Sequence, residues 1–210
     1  MNIVHIDELE RYPDMSGAPV LMPLRRRLGI RAFGANCWTA DVGMPVIERH
    51  SEPDGDEELY VVLRGRARFL VGDETVDAGP GTLVHVRPDN VREAVAAEPE
   101  TIVLAVGAKP GEAFAPKSWE DFQVAFAEAR AESEEKARAL LAEQLAQNPD
   151  AWQGHYNAAC FEALAGNADE AFEHLSQALE LGLPRVRELA AESSTFDSLR
   201  DDPRWQELVG

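Results

Sequence analysis

The sequence lacks the long apolar segments that cross membranes. Its 210 residues contain no run of about 18 apolar residues, so no transmembrane helix is predicted. The chain begins MNIVHIDELERYPD, a segment that carries acidic side chains early and has no apolar centre, so we expect no secretory signal. Cysteine is also scarce, and Cys37 and Cys160 lie too far apart in sequence to suggest a disulfide framework. We therefore expect a cytoplasmic protein with free thiols.

Basic residues are few. The chain has 20 Lys and Arg against 38 Asp and Glu, which gives a formal net charge of -18. A surface this negative repels the phosphates of nucleic acids and of anionic lipids, so neither nucleic acid nor membrane is expected as a partner. The excess of acids is greater in residues 119–210 than in residues 1–118. It indicates either a solvated helical surface or a docking face for a basic partner.

The motifs of several common enzyme classes are missing. There is no GxSxG motif, no Walker phosphate loop, no dinucleotide-binding glycine fingerprint and no CxxC pair. Catalysis by a serine on a nucleophile elbow and nucleotide binding by these loops are therefore not predicted.

The two halves of the chain have different patterns. Residues 1–108 hold most of the glycine and proline and consist of short apolar runs separated by turn residues, which predicts an all-β barrel or sandwich. Residues 109–118 contain two prolines and a glycine and are predicted to be a linker. Residues 119–210 are predicted to be helical, because apolar residues recur there at spacings of three and four. The predicted strands are 24–28, 33–40, 45–50, 59–63, 67–71, 82–86, 93–97 and 102–106.

A 34-residue repeat runs through the helical half, and this period is typical of helix–turn–helix arrays. The segment NADEAFEHLSQALEL (167–181) resembles the tetratricopeptide repeat most clearly. The resemblance implies two repeats and a capping helix at 194–209, and a protein or peptide partner at this domain. The repeat aligns small and apolar residues: Ala125 with Ala159, Ala137 with Ala171, and Leu141 with Leu175.

Two motifs mark the β half. Glu58, six further residues and Gly65 follow the first motif of the cupin family, within the segment ELYVVLRGRARF. Pro88-x-Asn90-x2-Glu93 matches the second cupin motif, with Asn in place of Gly and Glu in place of His. Residues of about 20–108 thus resemble a cupin. The resemblance implies a double-stranded β-helix (jelly-roll) barrel that forms a homodimer. Together with the predicted helical half, this barrel predicts an α+β two-domain chain.

The cupin resemblance also implies a metal site. Residue by residue, it carries the family's ligand positions over to His50, Glu52, Glu58 and Glu93, although only His50 and Glu58 retain the family's residue types. Glu57 is an alternative to Glu58. Such a set would suit a divalent ion such as Mn, Fe or Zn. The alternative is a metal-free barrel whose carboxylates face solvent or pair with arginines, namely Arg66, Arg68 or Arg92.

Trp38 and Tyr60 are candidate pocket residues, because each joins a flat apolar face to a polar tip. Filling the core is an equal alternative for both.

The sequence leaves three alternative functions. The first is a ligand-binding or protein-interaction protein with an eroded cupin metal site. The second is a metal-dependent cupin enzyme, an oxygenase or isomerase acting on a small polar substrate. The third is a structural scaffold. The first is preferred because an interaction module is attached to an incomplete ligand set, and enzymatic activity is left open.

Overall fold

A computed structural model of the protein describes residues 2–14, 18–52, 55–114 and 118–210. The chain separates into two units, Met1–Val124 and Ala125–Gly210. The domain bounds 1–108, 109–118 and 119–210 stay a prediction, and residues 115–117 of the predicted linker lie outside the described residues.

The first unit is mainly β-structure. Its described strands are β1 Tyr12–Pro13, β2 Val20–Met22, β3 Gly34–Ala40, β4 Pro45–His50, β5 Glu57–Arg64, β6 Ala67–Val71, β7 Glu74–Ala78, β8 Leu83–Val86, β9 Arg92–Ala96 and β10 Thr101–Ala108. A short 3-10 helix covers Ile6–Glu8, and helix α1 covers Leu24–Leu28.

The strands form two antiparallel sheets. One has the order β1-β2-β3-β10-β5-β8 and the other β4-β9-β6-β7. Side chains alternate between the faces of a strand, so each sheet turns every second residue inward. Tyr60 and Val62 from the first sheet meet Val46, Phe69 and Ala94 from the second in one buried cluster. The predicted β-barrel is therefore confirmed, although the region is not all-β, because it also contains helix α1.

The turn between β5 and β6 explains why the first motif ends in glycine. Gly65 has a φ of 67°, a region that disfavours residues with a side chain. A Cβ atom at this position would also lie 2.5 Å from Oγ1 of Thr101. Both constraints exclude a larger residue here, so the motif spacing reflects a backbone requirement.

The segment 24–28 corrects one prediction, since it forms helix α1 and not a strand. Leucine and arginine favour helices, and Leu24 and Leu28 are four residues apart, on one helical face. Gly29, with a φ of 71°, ends the helix. Strand β7 was not predicted, because its residues are mostly polar and exposed at the edge of a sheet. The short strands β1 and β2 were not predicted either.

The second unit is helical, as the apolar spacing predicts. Its core includes Ala159, Ala171 and Leu175, which are fully buried. Among the described residues, no helix is long and apolar enough to cross a membrane. The described helices are α2 Ser118–Glu132, which begins in the first unit, α3 Glu134–Gln147, α4 Trp152–Ala165, α5 Ala168–Gly182, α6 Arg185–Glu192, the 3-10 helix Ser194–Leu199 and α7 Pro203–Leu208.

Replacing Ala171 by leucine is expected to overpack this core. Ala171 on α5 and Ala159 on α4 both have no exposed surface, so a larger side chain must displace its neighbours. We expect Ala171→Leu to lower the free energy of unfolding by about 1–3 kcal/mol. Chemical denaturation measures this, with Ala142→Leu at an exposed position of α3 as the matched control. Equal stability of the two variants would contradict a close contact at Ala171.

Candidate metal and ligand site

A cavity of about 310 Å³ opens inside the first unit. Residues of β3, β4, β5 and β10 form its wall, together with residues at the start of α2. Trp38, Val46, Tyr60 and Trp119 supply apolar surface to it. The carboxylates among its described lining residues are Asp14, Glu48, Glu52, Asp56, Glu58 and Glu120.

Three of the four predicted metal ligands lie together at this cavity. His50, Glu52 and Glu58 each offer one ligand atom, and these atoms lie within 4.8 Å of one another. His50 Nε2 is 3.5 Å from Glu58 Oε2 and 3.8 Å from Glu52 Oε1. The structure also distinguishes Glu58 from its alternative, because Glu57 lies beside His85, at 3.9 Å from its Nε2.

Glu93, the fourth predicted ligand, is not brought to this group. It precedes Ala94 and follows Arg92, and these two neighbours are both buried in the core of the barrel. Adjacent residues of a strand point to opposite faces, so Glu93 lies on the other face of β9. There it lies 3.8 Å from Nη1 of Arg49. The cupin motif alignment therefore selects Glu93, which is one residue away from the position of β9 that faces the inside of the barrel.

Arg92 occupies that inward position. Its side chain has no exposed surface, and β9 pairs it with His50 of β4. Arg92 Nε donates to Glu58 Oε2 at 2.9 Å, and Nη2 donates to the same oxygen. Nη1 donates to the main-chain oxygen of Asn90 at 3.0 Å. A buried guanidinium is tolerated when it is paired in this way.

The ion pair controls the charge of Glu58. Burial opposes ionisation of this carboxyl, but hydrogen bonds from His50, Tyr60 and Arg92 outweigh it and lower its pKa to about 2. The Tyr60 hydroxyl donates to Glu58 Oε2, and burial together with the charge of Glu58 raises the pKa of Tyr60. Glu58 is therefore a carboxylate at neutral pH, saturated on one oxygen by donors.

His50 is held in one orientation. Its Nδ1 lies 2.7 Å from the main-chain oxygen of Glu48, and because a carbonyl only accepts, Nδ1 carries the hydrogen. This leaves Nε2 directed at Glu52 and Glu58. Burial lowers the pKa of His50, but its hydrogen bonds with Glu58 and Glu48 outweigh that effect and raise it.

Glu48 is a titratable group that the sequence analysis did not select. Its side chain keeps access to water in the cavity, yet it is surrounded by protein atoms. The neighbouring protein atoms reduce its hydration although its side chain is exposed, and together with the nearby charge of Asp14 they raise the pKa of Glu48 to about 7, while His50 acts in the opposite direction. The period of two along β4, from Glu48 to His50, was the available signal.

The two predicted pocket residues have different surroundings. Trp38 lines the cavity and stacks on Trp119, with ring centroids 5.8 Å apart and planes inclined by 23°. Tyr60 is fully buried and packs against Phe69 in the core, while its hydroxyl reaches the Glu58 carboxylate. The ring of Tyr60 thus fills the core, while its hydroxyl belongs to the candidate site.

A second buried ion pair lies at the cavity wall. Arg25 Nε of α1 donates to Glu120 Oε2 at 2.9 Å, and Asn36 Nδ2 donates to the same oxygen at 3.1 Å. Glu120 Oε1 is buried and has no hydrogen-bond partner among the described residues. Nothing in the run of three arginines in α1 predicts that Arg25 is the buried one.

The lowered pKa of Glu58 predicts a loss of stability in acid. Because this pKa is lower in the folded chain than in the unfolded chain, the stabilisation is complete above about pH 4.5 and disappears as the pH falls towards 2. A shift of this size corresponds to about 3 kcal/mol at neutral pH. We expect Glu58→Gln to lose that stability at pH 7 and to show a flatter decline between pH 5 and pH 3.

Urea denaturation at several pH values measures this effect. Glu74→Gln, at an exposed position of β7, is the control and should follow the wild-type curve. Parallel curves for the Glu58→Gln variant and the wild type would contradict the assigned ion pair.

Comparison with known proteins identifies the fold of this region. Residues 37–107 match the family described as Cupin domain. No curated protein matches the chain. A conserved protein with a double-stranded β-helix domain from Klebsiella pneumoniae is 25% identical over 56% of this chain and 99% of its own, with a TM-score of 0.44.

Two further structures are similar. A sugar phosphate isomerase of the cupin superfamily from Silicibacter pomeroyi is 19% identical over 52% of this chain and 77% of its own, with a TM-score of 0.42. A predicted oxalate decarboxylase from Thermotoga maritima is 18% identical over 51% of this chain and 99% of its own, with a TM-score of 0.42. The family match, by itself, identifies residues 37–107 of this chain as a cupin domain.

Proposed function

We propose that the cupin domain is a ligand-binding module in which the ion pair of Arg92 and Glu58 stands where a metal centre would form. The buried guanidinium of Arg92 is the observation that carries this proposal. It donates twice to the carboxylate oxygen of Glu58 that lies nearest to His50. A permanent positive charge at a candidate ligand atom repels a divalent cation.

The cavity supports binding of a small molecule. Its volume of about 310 Å³ falls at the lower end of the range usual for small-molecule sites. Its wall combines aromatic surface from Trp38 and Trp119 with a few polar groups that converge on it. This combination of apolar walls and oriented polar atoms is typical of such sites.

A metal-dependent cupin enzyme is the second candidate. His50, Glu52 and Glu58 fit a divalent ion by donor type and spacing. The hydrogen bond from His50 Nδ1 to the Glu48 main-chain oxygen favours this candidate, because metal-bound histidines are commonly oriented by such a bond. A bound Mn, Fe or Zn ion would supply Lewis-acid activation of a small polar substrate, as an oxygenase or isomerase requires. The charge of Arg92 argues against it.

Thermal melts with metal and chelator separate the two candidates. A metal at 100 times its dissociation constant would add about 2.7 kcal/mol of stability. We expect no shift of the melting temperature with Mn(II), Fe(II), Zn(II) or chelator, in the wild type or in the His50→Ala variant. A metal-dependent rise in the wild type that His50→Ala removes would favour the metal enzyme.

For the helical unit we propose a tetratricopeptide-like module that binds a protein or peptide. The fully buried Ala159 of α4 and Ala171 of α5 support it, because small residues at the repeat positions let paired helices approach closely. The net acidic charge of residues 119–210 favours a basic partner.

We also propose that the protein forms a homodimer through the barrel. Strand β8 is an edge strand, and its Leu83 is 63% exposed. Leu83 pairs with Val61, two residues before the exposed Leu63, so both leucines lie on the outer face of this sheet. An exposed apolar patch beside an open strand edge is a candidate interface.

Light scattering on the full chain tests the dimer. We expect twice the 23.1 kDa of one chain for the wild type and the monomer mass for Leu83→Asp. Val76→Asp, on the edge strand β7 of the other sheet, is the control and should leave the dimer intact. A monomeric wild type at high concentration would exclude the proposal.

A further inference from the structure

The cavity has a strongly acidic lining. Six carboxylates and one histidine line it, while its described lining residues include no lysine and no arginine. Two of the carboxylates form ion pairs with arginines that do not line the cavity: Glu58 with Arg92, and Glu120 with Arg25. The cavity thus presents carboxylate oxygens in a partly enclosed space, with no basic side chain among its described lining residues. Such a cleft concentrates cations and repels anions.

Glu120 supplies an independent sign of a missing ligand. Its side chain is only 4% exposed, and it forms part of the cavity wall. Among the described residues, Arg25 and Asn36 donate to this carboxylate, and both donate to Oε2. Oε1 has no hydrogen-bond partner among the described residues. A buried acceptor without a donor is costly, and an N–H group of a ligand would remove that cost.

Aromatic surface lies next to this carboxylate. Trp119 directly precedes Glu120 in α2 and stacks on Trp38 of β3, and both rings line the cavity. Trp119 keeps 42% of its surface exposed, so its ring borders both the cavity and solvent. Tryptophan faces attract organic cations more strongly than other aromatic side chains do. They also provide a flat apolar surface for a ring.

We propose that the cavity takes a small organic cation, a primary ammonium or guanidinium group attached to a flat apolar group, with Glu120 Oε1 as the hydrogen-bond acceptor that anchors it. This inference rests on the proposed ligand-binding function and names the chemical class of the ligand. The cationic group donates to Glu120 Oε1, and the apolar group lies against Trp38 and Trp119. The volume of about 310 Å³ admits a molecule with one ring. A bare metal ion would make no use of the aromatic walls.

Three probes of one shape test the class. Benzylamine, benzyl alcohol and benzoate share a ring and differ in charge. Isothermal titration of the full chain at pH 7 should give binding of benzylamine at least 10 times tighter than of benzyl alcohol, and no binding of benzoate. Quenching of tryptophan fluorescence should accompany benzylamine binding.

Variants locate the site. Glu120→Gln keeps the shape of the side chain and removes its charge, and should weaken benzylamine binding at least 10-fold. Trp119→Leu changes a partly exposed residue, so the fold should tolerate it, and it should weaken binding several-fold even if Glu120→Gln unfolds the chain. Glu74→Gln, outside the cavity, should bind benzylamine as the wild type does.

The outcomes separate this inference from the proposed function. Equal or tighter binding of benzyl alcohol or benzoate would overturn the cationic class and leave a ligand-binding cavity. Benzylamine binding that ignores both variants would overturn the anchoring role of Glu120. If Mn(II) displaces benzylamine at concentrations below that of benzylamine itself, the acidic lining would be assigned to a metal ion. Absence of binding by all three probes would overturn the inference, while the metal melts judge the function separately.

Discussion

The ion pair between Arg92 and Glu58 is the interaction on which the interior of the barrel depends. It joins β9 of one sheet to β5 of the other, and it places two opposite charges inside the barrel, where Arg92 has no exposed surface and Glu58 is largely buried. Neither charge is stable there alone, so each requires the other. Tyr60 donates to the same carboxylate, and His50 Nε2 lies 3.5 Å from it. The chemistry of the cavity is therefore set by one neutralised carboxylate.

Two groups of polar residues line the cavity. In the first, His50 and Glu52 lie beside the ion pair, with the residue types and spacing of a candidate metal site. In the second, Glu120 has one oxygen without a hydrogen-bond partner among the described residues, and Trp119, stacked on Trp38, directly precedes it. The first group explains why the ligand set of a metal cupin is recognisable in part. The second supports binding of a molecule without a metal.

Several features were predictable from the sequence because they depend on local patterns. Short apolar runs between turn residues located β4 and β6 to the residue, and the motif glycine Gly65 marked a turn that requires a positive φ. Spacings of three and four located the helical half. Helix α1 was missed because three arginines interrupt its apolar pattern, and the pairing of Arg25 with Glu120 joins residues 95 positions apart.

The candidate site separates what the sequence determined from what tertiary structure decided. The resemblance to the cupin motifs was enough to select His50, Glu52 and Glu58 as candidates, although Glu52 does not keep the family's residue type and follows the end of β4. Only the register of β9 decides that Arg92, and not Glu93, faces the core, because a shift of one residue reverses which side chain points inward. Arginine pairing had been one alternative, but the choice among Arg66, Arg68 and Arg92 depends on which guanidinium is buried beside Glu58. That burial arises from two sheets packing together, which no local pattern encodes.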